Sequence, residues 1–178
     1  MDYIWCLITL HQLRCIQCHG RVTILLCITN VSDYIHPITL EAAYQVASNL
    51  RPEDAREVIE GHGHIPKIHI PLFSRRGFCV YFTVPNGKTA GIAGVTEDGA
   101  VWMLCTTAID EYPITFAREA KRFIDSRPEK LLWNIADKRN KLHLKLLKFL
   151  GFKFLREVTY GPNNLTFIEF CKCANQSP

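Results

Sequence analysis

The stretch Asn140–Phe154, N-K-L-H-L-K-L-L-K-F-L-G-F-K-F, most constrains how this chain can fold. Asn140 is a strong N-cap type, because its side-chain oxygen can accept from free N–H groups of the next turn. Leu142, Leu146, Phe149 and Leu150 recur at helical spacing and predict one apolar stripe, widened by Leu144 and Leu147. Lys141, Lys145 and Lys148 repeat beside it as a basic rib. Gly151 stands where a helix ends in the left-handed region, which glycine adopts at little cost. Phe152 and Phe154 then alternate with Lys153, which is strand grammar. The stretch therefore reads as cap, helix, glycine stop, strand.

Charge is concentrated in the same place. From Lys138 to Arg156 there are seven Lys or Arg and no carboxylate, in a chain whose net charge is only +4. Such an edge suits phosphates, a cofactor pyrophosphate or an acidic partner. The residues offered for an anionic partner or packaged DNA are Lys138, Arg139, Lys141, Lys145 and Lys148. A nucleic-acid role has no stacking motif or docking module behind it.

The 178 residues suit one domain, and 48% apolar content supplies a core. Residues 1–30 read differently from the rest, with short apolar runs and a single acid, Asp2. They are expected to form an extension to a single domain over 31–178, or to lie upstream of a start near Val31. No apolar run reaches the ~18–20 residues that span a bilayer, because Arg14, His19 and Arg21 interrupt. No basic n-region or small-residue cleavage site opens the chain, so a reducing setting with mostly free thiols is expected. Cys15-Ile-Gln-Cys18-His19 matches the haem-attachment pattern, but that chemistry calls for export. Cys6 and Cys27 add candidates without a pattern, and Cys171-x-Cys173 lacks zinc-knuckle spacing. No metal site is expected.

The remaining elements follow in order. Tyr34–Thr39 reads as an edge strand limited by Pro37. Thr39 caps a helix over Leu40–Ser48, and a second helix runs from Leu50 to Gly61. His62, His64 and His69 fall in a segment read as loop from its glycines and Pro66. Phe78–Val84, Thr89–Thr96 and Ala100–Thr107 predict a three-stranded meander. Its turns are Pro85-Asn86-Gly87-Lys88, expected as type I′, and Glu97-Asp98-Gly99 of the same kind. Thr115 is placed as the cap of a helix over Phe116–Asp125, with Phe116, Ala120, Phe123 and Ile124 inward. Leu131–Ala136 predicts a strand buried on both faces. Phe152–Tyr160 and Leu165–Cys171 close the chain as a hairpin.

That order resembles the GNAT N-acetyltransferase fold over about 35–171, and Asn140 and Gly151-Phe152 fall where the fold's C-terminal motif puts them. The fold class expected is therefore mixed α+β, with a mostly antiparallel, splayed central sheet flanked by helices. A narrower resemblance rests on Leu132-Trp133-Asn134, Asn140, His143-Leu144-Lys145, Leu147-Lys148 and Gly151. Val101-Trp102, the basic helix Ala117–Arg127 and Leu50-Arg51-Pro52-Glu53-Asp54 accompany it. This pattern is similar to a small GNAT-like family of short-tailed phages that includes internal virion proteins. It implies other virion proteins as partners, a place in the virion interior or host cytoplasm, and a role in assembly or genome ejection. Tyr112, Trp133 and Tyr160 are then contact candidates.

What the resemblance implies about catalysis is mixed. The pyrophosphate turn of the fold is glycine-rich, whereas Thr106–Thr115 contains no glycine and carries Asp110 and Glu111. A general acid is often a Tyr four residues before the glycine of Gly-Phe; here that position is Leu147. His143, one turn earlier, is the candidate in its place. Glu97, Asp98 and Glu111 are the carboxylates weighed as base. The expectation from sequence is a non-catalytic scaffold without a cofactor, with an acetyl-CoA-dependent N-acyltransferase as the alternative. If CoA binds, between the Val101 and Leu131 strands, the residues expected around it are Leu104, Cys105, Thr106, Thr115, Asn140 and His143.

Overall fold

A computed structural model describes residues 32–173. The extension 1–30, with its C-x-x-C-H motif, Cys6 and Cys27, lies outside the described residues.

Two antiparallel sheets carry the fold. The first has the order β1 (Ile35–Pro37), β2 (Phe78–Thr83), β3 (Thr89–Val95), β4 (Val101–Cys105). The second has the order β5 (Leu131–Asp137), β7 (Leu165–Cys173), β6 (Lys153–Tyr160). Helices α1 (Leu40–Ser48), α2 (Pro52–Arg56), α3 (Pro66–Phe73), α4 (Pro113–Asp125) and α5 (Lys141–Phe149) pack around them. Pro37 ends β1 on the outer edge, where a missing N–H costs no ladder bond.

Period-2 alternation assigns the faces of the first sheet. Val80, Phe82, Ala93, Val101 and Cys105 join a large core with α4, where Phe82 meets Phe116 and Phe123 edge-to-face at 5.6 and 5.9 Å. Ile92, Tyr81, Trp102 and Leu104 point to the opposite face, against Val46, Ala47 and Ile70 of α1 and α3. Gly94 is required there, since a Cβ would stand 2.6 Å from the Trp102 ring.

Several expectations change in physical detail. The Asn86 turn is not type I′, because Gly87 has φ 80° and Asn86 stays at negative φ. Gly87 N–H donates to the Val84 carbonyl at 2.7 Å, so Pro85-Asn86 are the turn centre and Gly87 the left-handed residue after it. Gly99 repeats this arrangement, with its N–H on the Thr96 carbonyl at 3.0 Å. The helix expected through Gly61 breaks into α2 and a π turn, Glu57–Gly61. The segment read as loop to His69 becomes α3, with Pro66 at its first turn and Pro71 inside. Thr115 is not a cap: α4 starts earlier at Pro113, whose fixed φ suits a first helical position. β5 is not buried on both faces, as Leu131 and Trp133 are 45% and 36% exposed.

The organising stretch forms as read, with Asn140 Oδ1 accepting from His143 N–H at 3.2 Å and Gly151 at φ 86°. Its apolar stripe is the exception. Leu147 and Leu150 are buried, whereas Leu142 and Phe149 are 46% and 56% exposed.

Among the described residues, strands of the two sheets hydrogen-bond to each other at one end only. Ala100 and Trp133 make a parallel bridge, Trp133 N–H donates to the Gly99 carbonyl at 3.1 Å, and Asn134 Nδ2 donates to the Val101 carbonyl at 2.9 Å. Beyond that point β4 and β5 have no ladder between them among the described residues. The splay between these strands positions the candidate site.

Candidate active site at the strand splay

Hydrogen-bond parity on β4 decides which backbone groups face the gap. Cys105 N–H and the Val101 carbonyl both bond away from β3, so the N–H and C=O of Met103, between them, point the same way. Cys105 N–H is closed by Asp54 Oδ2 at 2.8 Å, and its carbonyl accepts from Arg51 N–H at 2.9 Å. Met103 therefore offers the backbone donor turned toward β5.

A cavity lies on each side of this gap. One, of about 390 Å³, is walled by Met103, Cys105, Phe116 and the α5 side chains Leu142, Leu146 and Phe149, with Arg51, Asp54, Asp110 and Lys145 as charged members. The half-exposed stripe of α5 is thus the lining of a cavity. The other, of about 320 Å³, is walled by Trp102, Leu104, Phe73, the imidazoles of His62, His64 and His69, and Glu57. Met103 and His143 line both cavities.

Beneath the junction is a buried polar cluster. Asn140, 1% exposed, donates from Nδ2 to Asp54 Oδ1 at 2.9 Å and to Glu57 Oε2 at 3.3 Å. Glu57 Oε2 stands 3.8 Å from His143 Nδ1. Burial pushes the His143 imidazole down, but Glu57 and Asp54 outweigh it and the net shift is upward. Burial raises Glu57, yet the facing imidazole and the bonds it accepts bring it below the ordinary carboxylate value. Asp54 goes the other way: burial dominates and raises it. The arrangement sets the Glu57 carboxylate against the His143 imidazole at the wall between two cavities.

The sequence candidates scatter around this centre. Leu104 lines the smaller cavity and Cys105 the larger. Burial raises the Cys105 thiol well above its usual value, which disfavours the thiolate a nucleophile needs. Thr106 is spent on the Thr89 carbonyl and on capping the 3₁₀ turn Thr107–Asp110, and Thr115 lines neither cavity. Asn140, expected against a pantetheine arm, lies under the cavities as the strut of the carboxylates. Leu147 is core, 4% exposed. Of the carboxylates weighed as base, none lines either cavity: Asp98 accepts from Thr96 Oγ1, and Glu111 is held by Lys88 and Asn86 at 2.9 and 3.0 Å. Asp54 and Glu57 were not singled out by sequence; the signal was the helix-spaced pair of acids after Pro52.

The basic rib divides likewise. Lys138 pairs with Glu157, and Arg139 with Asp137 and Glu60, whereas Lys141, Lys145 and Lys148 form no ion pair among the described residues. Arg51 is 7% exposed; its Nη2 stands 3.5 Å from Glu53 Oε2, while its Nε has no hydrogen-bond partner among the described residues and the nearest oxygen of Asp110 is 3.8 Å away. An unsatisfied, buried guanidinium N–H in a cavity wall is a place for an anion. The three imidazoles do not form a metal centre, since no group of three or more His, Cys, Asp or Glu is arranged to hold an ion among the described residues. No helix among them is long and apolar enough to cross a membrane.

No family model matches the chain, and no curated protein sequence does. Solved structures do match in shape. A putative acetyltransferase from Salmonella typhimurium with acetyl-CoA superposes with TM-score 0.60 at 11% identity, covering 83% of this chain and 97% of that one. The ribosomal-protein-S5-alanine acetyltransferase from Vibrio fischeri gives 0.58 at 16% identity over 83% and 97%. An aminoglycoside acetyltransferase in complex with coenzyme A gives 0.55 at 12% identity over 79% and 94%. Identities this low carry the fold and nothing finer. The chain has the GNAT acetyltransferase fold, helices around a mostly antiparallel sheet that splays between β4 and β5.

Proposed function

We propose that this protein is an acyl-CoA-dependent N-acyltransferase. The observation that carries the reading is the pair of cavities meeting at Met103 and His143 across the β4–β5 splay. A two-substrate transfer needs two sites that open onto one reacting position.

The larger cavity fits the carrier. Leu142, Leu146 and Phe149 give an apolar wall for the pantetheine arm, and the Met103 N–H faces the gap where a thioester carbonyl would lie. The phosphates would find Arg51 Nε, without a hydrogen-bond partner among the described residues, and Lys145, without an ion pair among them. The glycine-free turn is less hostile than its sequence suggests, because Glu111 is neutralised by Lys88 and Asp110 lies beside Arg51. Acyl-CoA supplies an activated thioester; the protein orients an amine toward it and removes the amine's proton. His143 is the group placed to take that proton, with Glu57 stabilising the imidazolium formed.

Titration of acetyl-CoA into the full chain at low salt tests the reading by calorimetry. A Kd in the micromolar range is expected. No heat and no thermal shift at millimolar ligand would leave a non-catalytic scaffold, of which a virion assembly protein is one kind.

A further inference from the structure

We infer that the acceptor is a primary monoamine on a flat aromatic body, bound in the cavity between α3 and β4, and not a polyamine or aminoglycoside. The inference rests on the acyltransferase reading for its chemistry, but it rests on the smaller cavity alone for its geometry.

That cavity has a wall of rings. His64 stacks on His69 with centroids 4.4 Å apart and planes at 22°, and His62 follows at 5.8 Å and 9°. Phe73 meets His64 edge-on at 5.1 Å and His69 at 5.9 Å. Rings packed on one another in this way, with Phe73 and Trp102, give the cavity an aromatic lining that suits a planar ring. Burial lowers both His62 and His64, so they are neutral surfaces.

Charge sets the limit on the ligand. The titratable groups facing the cavity are Glu57, His62, His64, His69, Arg76 and His143. Glu57 is the one carboxylate among them, and Asn140 and His143 already engage it. One ammonium can approach Glu57 at the floor. A second would meet neutral imidazoles or the Arg76 guanidinium, which stacks over Phe73 at 5.3 Å on the cavity's rim. An unpaired cation in an apolar cavity is strongly disfavoured, and a like charge at the mouth adds repulsion.

The test uses the full chain with tyramine, spermidine and kanamycin. Release of thiol from acetyl-CoA is followed for each, and tyramine binding is measured separately by calorimetry without acetyl-CoA. Expected is a kcat/KM for tyramine at least 10-fold above that for spermidine or kanamycin. Phe73→Ala should raise the tyramine KM about 10-fold and leave the acetyl-CoA KM unchanged. If tyramine binds and Phe73→Ala weakens it while acetyl-CoA gives no heat, the cavity assignment stands and the acyltransferase reading falls. If acetyl-CoA binds but spermidine or kanamycin is preferred, or tyramine neither binds nor reacts, the acceptor class is overturned.

Discussion

His143 is where the chemistry is concentrated at the scale of the residue. Sequence offered it as the candidate general acid, one turn from a missing tyrosine. What it could not offer was Glu57, 86 residues away, whose carboxylate stands 3.8 Å from the ring. Asn140 was legible as a cap and is one, but its amide also joins two buried carboxylates, a role no local pattern encodes. The coupled shifts give a pH signature. The folded imidazole is raised above its ordinary value of 6.5, so its contribution to stability is complete below that value and is lost as pH rises through the folded one. Glu57 is lowered from 4.5, so its contribution is present above 4.5 and is lost as pH falls through its folded value. A base must be neutral to accept a proton. The acyl-transfer rate should therefore rise with pH over the same range, above 6.5, in which the melting temperature declines. His143→Gln should reduce kcat by about 10²–10⁴-fold and flatten both profiles. A pH–rate profile and melting curves on the two proteins check this; an unchanged profile in the variant would remove His143 from the mechanism.

At the scale of the element, α5 shows how far periodicity reaches. The spacing of its leucines fixed the helix and its cap, but spacing does not say what an apolar face meets. Leu147 and Leu150 enter the core, and Leu142, Leu146 and Phe149 turn to a cavity. The two groups should separate in experiment. Leu147→Ala should destabilise the fold by about 2–5 kcal/mol, as for other buried leucines. Phe149→Ala, at a side chain 56% exposed, should cost no more than about 0.5 kcal/mol yet weaken acetyl-CoA binding several-fold. Denaturant melts and calorimetry on both variants read the difference. α3 was missed because Pro66 and Pro71 are breaker signals in most contexts. Pro66 instead occupies the first turn, where its missing N–H is harmless, and Pro71 is buried beside Ile70, which packs on the sheet. The hairpin turns were located correctly and typed wrongly, because Asn-Gly and Asp-Gly serve either as the two central residues of a type I′ turn or, as here, as the last central residue and the left-handed glycine that follows it.

For the molecule as a whole, element order was the readable quantity, and it led to the correct fold. The meander, the two-helix lead-in and the strand–helix–hairpin close each carry a local signal. The splay carries none: it is the absence of a ladder between β4 and β5, held at one end by Ala100, Trp133 and the Asn134 side chain. The glycine-free turn argued for a scaffold without a cofactor. In three dimensions Glu111 pairs with Lys88, Asp110 stands 3.8 Å from Arg51 Nε, and that buried arginine, just before α2, lines the cavity. These features tie the site to the meeting of two cavities at one pair of residues. The most direct test is a crystal structure of the full chain grown with acetyl-CoA. Density is expected in the cavity between α4 and α5, with the thioester carbonyl at the Met103 N–H and the acyl group turned toward His143. Acetyl-CoA bound elsewhere, with the splay still closed at Met103, would contradict the assignment.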